Sequence, residues 1–210
     1  MTAWLENPLT EKYYRLKSKL SSPDIVEIPW HWTAATAGTD YSGFKSYLTN
    51  DEIFGIHGHV LWGRNDGKSE GIPCSPIANL TYDIIKEVLE CNNISLNNLY
   101  RASLNLTLPQ GNRLPTPHVD HYFEHNVLIL YLISDRDSGN TVVCKERCFY
   151  KEEEQPNEGT MRSRIISFDE ITPMIEFVPI EDSVVMFDGL HYHYTARASK
   201  ARIALVATYD

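Results

Sequence analysis

Between residues 100 and 108 the chain alternates. Tyr100, Ala102, Leu104, Leu106 and Leu108 are apolar, and Arg101, Ser103, Asn105 and Thr107 between them are polar. A period of two sends these sets to opposite faces, so the run predicts a strand with one buried face. Residues 127–133 are apolar throughout, which predicts a strand covered on both faces. Asp137-Ser138-Gly139-Asn140 then predicts a turn into a strand at 141–144. Shorter runs at 164–168, 175–178, 184–187 and 202–209 extend the series.

The N-terminal part has a different period. Leu9, Tyr13, Leu16 and Leu20 share one face of a helix predicted over 7–20, with Asn7 read as its cap and Pro8 at its first position. Ile84, Ile85, Val88 and Leu89 make the apolar side of a second helix over 80–91, ended by Asn92-Asn93. Mixed strand and loop fill 53–62, and a Gly- and polar-rich connection covers 63–71. Many short strands behind a helical layer predict an α+β, mainly β fold, a barrel or jelly roll with a mouth for a ligand. Residues 145–164, with Glu152-Glu153-Glu154 at their centre, read as a solvated loop; a lid over the site is the functional version of that reading.

The length of 210 residues suits a single domain over 1–210, with 1–98 supporting a core at 99–210. A composition 42% hydrophobic and 22% charged excludes a disordered tail, and no apolar run reaches the ~20 residues of a membrane span. The formal charge of -9 weighs against nucleic-acid binding, which needs a basic surface. Arg101, Arg113 and Arg136 read as ordinary surface arginines. Four cysteines are too few for a disulfide scaffold, and the N-terminus lacks a signal-peptide pattern, so a cytoplasmic setting is expected.

The eight histidines carry more information, because most fall in close groups. His118-Val119-Asp120 follows a proline-broken loop at the end of a predicted strand, and in extended chain residues two apart point the same way. Far downstream, Phe187-Asp188-Gly189-Leu190-His191-Tyr192-His193 supplies a distant histidine, and Arg202 opens the last strand. Two histidines and one carboxylate on one side of a metal leave its other positions open, the arrangement of non-haem Fe(II) oxygenases. The arginine offers a planar fork suited to a carboxylate. A competing arrangement puts His118, His121 and His125 on one helical face as a zinc site, but Pro115, Pro117 and the apolar run at 127 leave scarcely two turns for that helix. His57 and His59 read as structural or near a substrate path.

From residue 99 to 209 this order of parts resembles the 2-oxoglutarate- and Fe(II)-dependent dioxygenases, in the prolyl-4-hydroxylase-like branch with small bacterial and phage members. The resemblance rests on His118-Val119-Asp120, Tyr131-Leu132, Gly139-Asn140-Thr141-Val142, the distal histidine and Arg202. It implies a double-stranded β-helix with supporting N-terminal helices, and iron on His118, Asp120 and the distal histidine. Related sequences place that histidine six residues after the phenylalanine and about nine to eleven before the basic residue. Phe187 to His193 is six and His193 to Arg202 is nine, which selects His193 over His191. By the same resemblance Arg202 and Tyr131 hold the far carboxylate of 2-oxoglutarate. Relatives carry an aromatic before a Pro-Gly turn where this chain has Leu108-Pro109-Gln110-Gly111; Asn105 is the residue available to compensate. The implied cofactor is Fe(II), with 2-oxoglutarate and O2 as cosubstrates. The implied reaction hydroxylates a C–H bond of a protein side chain and yields succinate and CO2. A free amino acid or small metabolite is the alternative substrate. A cupin-like binding protein with no redox metal is the alternative of another class.

Overall fold

The computed structural model describes residues 2–21, 28–33, 56–63, 70–109, 111, 116–148 and 166–210. Arg113, most of the 63–71 connection and nearly all of the lid expected at 145–164 lie outside these residues.

Two antiparallel sheets face each other. The larger runs β1 (Ala3–Leu5), β9 (Val184–Asp188), β6 (Asn126–Ile133), β11 (Arg202–Tyr209), β5 (Leu99–Thr107), β3 (Ile56–Gly63) and β2 (His31–Thr33), with β4 (Ile72–Pro73) paired to β3. The smaller runs β10 (His191–Thr195), β7 (Thr141–Arg147) and β8 (Pro173–Phe177). Helices α1 (Glu11–Ser21) and α2 (Ala78–Cys91) cover the outside of the larger sheet.

Strand alternation sorts the side chains into separate layers. Leu128, Leu130 and Leu132 of β6, Leu205 and Ala207 of β11, and Ala102 and Leu104 of β5 pack outward against Tyr13, Leu16, Leu20, Ile84, Ile85, Val88 and Leu89 of the helices. Val127, Ile129 and Tyr131 alternate with them and point inward, where they meet Val143, Phe177, Val185, Phe187 and Ala204 between the sheets. The unbroken apolar run at 127–133 thus serves two cores at once. Each large aliphatic or aromatic side chain taken from water contributes about 1.5–3 kcal/mol, so β6 is the strand least able to tolerate a polar residue. Cys144, Cys148, Tyr192 and Val119 form a third cluster with Ile166, Ile171 and Tyr194.

Strands β5, β6, β9 and β11 form close to their predicted bounds, and α2 begins two residues early. Helix α1 departs from its expected start. Asn7 Oδ1 accepts the Leu9 N–H in a local turn, the Asn7 amide donates to the Asp182 carbonyl, and Leu9 takes a φ of 49°, which stops helix at that point. Thr10 caps instead: its hydroxyl accepts the Tyr13 N–H and its carbonyl the Tyr14 N–H. Residues 164–168 were expected to be a strand; their described end leads into a 3-10 turn, Phe168–Glu170, closed by a Ser167–Glu170 capping box. Among the described residues no helix is long and apolar enough to cross a membrane.

Candidate metal centre and a buried arginine

His118 belongs to no long strand, yet it is placed by one. Its backbone forms an isolated antiparallel bridge with His193 of β10, N–H to carbonyl in both directions, at 3.0 and 2.9 Å. Directly opposed residues of an antiparallel pair project to the same side, so the two imidazoles lie together, ring centres 4.7 Å apart. Asp120, two residues on, joins them: one ligand atom from each of His118, Asp120 and His193 lies within 4.8 Å of the other two. No other such group of three or more His, Cys, Asp or Glu occurs among the described residues.

Each histidine of this group is held by its inner nitrogen. His118 Nδ1 lies 2.8 Å from the Thr116 carbonyl and His193 Nδ1 3.1 Å from the His191 carbonyl. A carbonyl only accepts, so both Nδ1 atoms carry a proton, and in the neutral ring the lone pair is left on Nε2. That tautomer is the one a metal requires. His193 Nε2 stands 3.6 Å from Asp120 Oδ2, and Arg101 Nη1 donates to Asp120 Oδ1 at 3.2 Å. Burial alone would raise the Asp120 carboxyl; without a metal, the hydrogen bond and charge that His193 supplies when protonated, then the charges of Arg101 and of protonated His118, hold it well below the usual carboxylate range. Two neutral nitrogens and one anionic oxygen are a donor set suited to a divalent first-row metal.

The other histidines have different partners. His191 Nδ1 donates to the Cys144 carbonyl at 2.8 Å, and a bulge between His191 and His193 gives the two residues separate surroundings. His121 bonds the Thr208 hydroxyl at 2.8 Å and stacks on Phe123, whereas His125 Nδ1 donates to the Phe123 carbonyl at 2.7 Å. Residues 118–125 form no helix, so the one-face zinc arrangement of His118, His121 and His125 does not arise. His59 is buried on the helix side of β3, between the Pro29 carbonyl and the Ser75 hydroxyl.

Arg202 sits deep between the sheets, only 6% exposed. Nη1 donates to the Gly139 carbonyl, Nη2 to Thr195 Oγ1 at 2.8 Å, and the guanidinium lies 5.6 Å from the centre of the Tyr131 ring. Nε has no partner and no described carboxylate pairs with the group. Burial therefore pulls the guanidinium below its ordinary value. Tyr131, fully buried, shares a hydrogen bond of 2.7 Å with Thr141, and its phenol is raised by that burial. Gly139 is required in this corner: its φ is 88°, and a Cβ would meet the Ala196 carbonyl at 2.5 Å. Asn105 lies opposite Ala204 on β11, and its Oδ1 accepts from Ser103 Oγ at 2.9 Å.

Sequence reasoning passed over Thr195, Thr141 and Arg101. Thr141 and Thr195 face each other in the β7–β10 ladder, so the pairing of those strands was the missing signal. Arg101, read as a surface residue, occupies a polar slot of the β5 alternation and reaches Asp120.

No protein-family model matches the chain, and no curated protein is similar to it in sequence. Solved structures are similar in fold. An oxidoreductase of the 2OG-Fe(II) oxygenase family from Burkholderia pseudomallei superposes with a TM-score of 0.55 at 14% identity, over 87% of this chain and 73% of that one. A prolyl hydroxylase from Trichoplax adhaerens, in complex with a hypoxia inducible factor peptide fragment, gives 0.52 at 10% identity over 100% and 83%. The non-heme alpha ketoglutarate dependent carbocyclase SnoK from nogalamycin biosynthesis gives 0.58 at 11% identity over 99% and 78%. The fold is thus the double-stranded β-helix of the 2-oxoglutarate-dependent non-haem iron oxygenases, carrying a His-Asp-His group of facial-triad type.

Proposed function

We propose that this protein is a 2-oxoglutarate- and Fe(II)-dependent oxygenase that hydroxylates a C–H bond of a protein side chain. The observation that carries the reading is a pairing of two features inside one barrel. A His118–Asp120–His193 group has the tautomers a metal needs, and a buried Arg202 has no anion of its own.

When bound, Fe(II) with 2-oxoglutarate and O2 supplies the oxidative chemistry: 2-oxoglutarate is decarboxylated to succinate and CO2, one oxygen atom ends in succinate and the other in the hydroxylated product. The remaining work belongs to the chain. His118 and His193 present neutral nitrogens, and Asp120 presents the negative charge that offsets part of the ion's. Arg202 binds the carboxylate at the far end of the cosubstrate through N–H groups that Gly139, Thr195 and Tyr131 leave in place. Asn105, its carbonyl oxygen engaged by Ser103, is the polar residue of β5 opposite Ala204 and would add an amide donor to the cosubstrate. Val127, Ile129, Val185, Phe187 and Ala204 exclude water between the two ends, which strengthens the charge pairing at Arg202.

The protein-side-chain substrate is supported by likeness to the Trichoplax enzyme, whose structure holds a peptide. Likeness to SnoK favours a second reading, oxidation of a small molecule on the same site. Anaerobic addition of Fe(II) and then 2-oxoglutarate tests the shared premise. A weak visible charge-transfer band is expected, and His118→Ala should abolish both the band and succinate formation. No band and no calorimetric binding would move the assignment to a cupin-like binding protein. Succinate release with peptide pools against small-molecule pools separates the two substrate readings.

A further inference from the structure

We propose that Arg101 is a positioning residue that sets which oxygen of Asp120 faces the metal; the inference rests on the metal-site reading above. Residues 118–125 are bends and a single bridge rather than a strand. Side chains from the neighbouring sheet reach this segment. Arg101 of β5 and Thr208 of β11 are cross-strand partners on the inward face. Thr208 holds His121, and Arg101 holds Asp120, so adjacent residues of the irregular segment are pinned from one rung of the ladder. Tyr100 packs its ring edge-on against Phe123 and His121 from the same strand.

The hydrogen bond is to Oδ1, and Oδ2 is the oxygen beside His193 Nε2 at 3.6 Å. A carboxylate that keeps both oxygens available can chelate a metal and take a coordination position that a chelating cosubstrate needs. With Oδ1 engaged by a guanidinium, Asp120 offers one oxygen. Arg101 thus works through Asp120 without touching the reacting atoms, the way hydrogen-bond partners of metal ligands fix ligand orientation elsewhere.

The test is Co(II) titration of the intact protein and its Arg101→Met and Arg101→Lys variants, read by affinity and by the visible d–d spectrum, anaerobically and without turnover. In Arg101→Met the freed carboxylate can take Co(II) through both oxygens, so the d–d band should shift without loss of affinity, and 2-oxoglutarate should perturb that band less than it does in the unmodified protein. Arg101→Lys keeps the charge and one donor at similar reach, so it should recover the original band and its response. An unchanged band with an unchanged response to 2-oxoglutarate in Arg101→Met overturns the inference while leaving the metal site intact. If Arg101→Met does not fold, Arg101→Gln, uncharged and two atoms shorter, takes its place with the same expected shift, and an unchanged band there overturns the inference. Absence of Co(II) binding by the unmodified protein overturns the metal-site reading and this inference with it.

Discussion

Replacing Arg202 by Met tests the anion site with a magnitude that can be worked out beforehand. A ligand that binds only the folded state stabilises it by RT ln(1 + [L]/Kd), which is about 2.7 kcal/mol at one hundred times Kd. For a chain of this size 1 kcal/mol moves the melting midpoint by roughly 2–4 °C. Saturating 2-oxoglutarate, added after Mn(II) as a redox-inert metal, should therefore raise the midpoint by about 5–10 °C. Arg202→Met removes the buried cation proposed to face the far carboxylate. Each lost charge-assisted hydrogen bond costs about 1.5–3 kcal/mol, so two of them lower the affinity by roughly 100- to 10,000-fold and the increment vanishes at the same concentration. The variant also leaves the Gly139 carbonyl and Thr195 hydroxyl unpartnered by Arg202, so its own midpoint will move; the ligand increment is a difference and is insensitive to that cost. The Mn(II) increment should survive, because the metal group is separate. Pyruvate, which has the 2-oxo acid end and no far carboxylate, should give the same small increment in both proteins. A 2-oxoglutarate increment that persists undiminished in Arg202→Met would refute the reasoning.

His193→Ala should abolish Co(II) binding while His191→Ala leaves it near its original strength, since only His193 faces Asp120; equilibrium dialysis reads both. Gly189→Ala should destabilise the fold by about 1–3 kcal/mol, because the added Cβ would lie 2.1 Å from His125 Nε2, and denaturant unfolding measures the loss. Burial, the largest influence on His125, depresses its proton affinity below the ordinary value of 6.5. The unfolded state then takes up more protons than the folded one, so this contribution to stability is present above pH 6.5 and is lost as the pH falls through the folded-state value. His125→Gln should accordingly flatten the acid limb of stability against pH; a limb of unchanged steepness would assign that limb to other groups.

Where the period was long and the burial two-sided, the sequence read well. The alternation at 100–108 and the apolar run at 127–133 have one solution each, because a register slip would turn Leu104 or Ile129 out of its core. Helix α1 was misplaced at its start because Asn7 and Pro8 satisfy helix-start rules equally well in a turn, and only the Asp182 carbonyl, far away in the chain, decides between them. Strand β10 escaped notice because His191-Tyr192-His193-Tyr194 reads as a motif, and its pairing, with a bulge between the two histidines, emerges only when β7 is beside it. The same distance hid Arg101. Nothing local distinguishes an arginine in a polar strand slot that meets solvent from one that meets Asp120.

The bridge between His118 and His193 joins positions 75 apart in the chain. Closing so long a loop carries an entropic cost that local contacts cannot offset, so the two imidazoles meet only after β6, β7, β9 and β10 have found their neighbours. The group of His118, Asp120 and His193 is therefore a product of the tertiary fold and not of any local segment. On the proposed reading, the protein acquires its capacity to bind an ion at the same step at which the two sheets close around the site. Metal affinity should thus track the fully folded fraction, and an ion once bound would act as a clasp across that long loop.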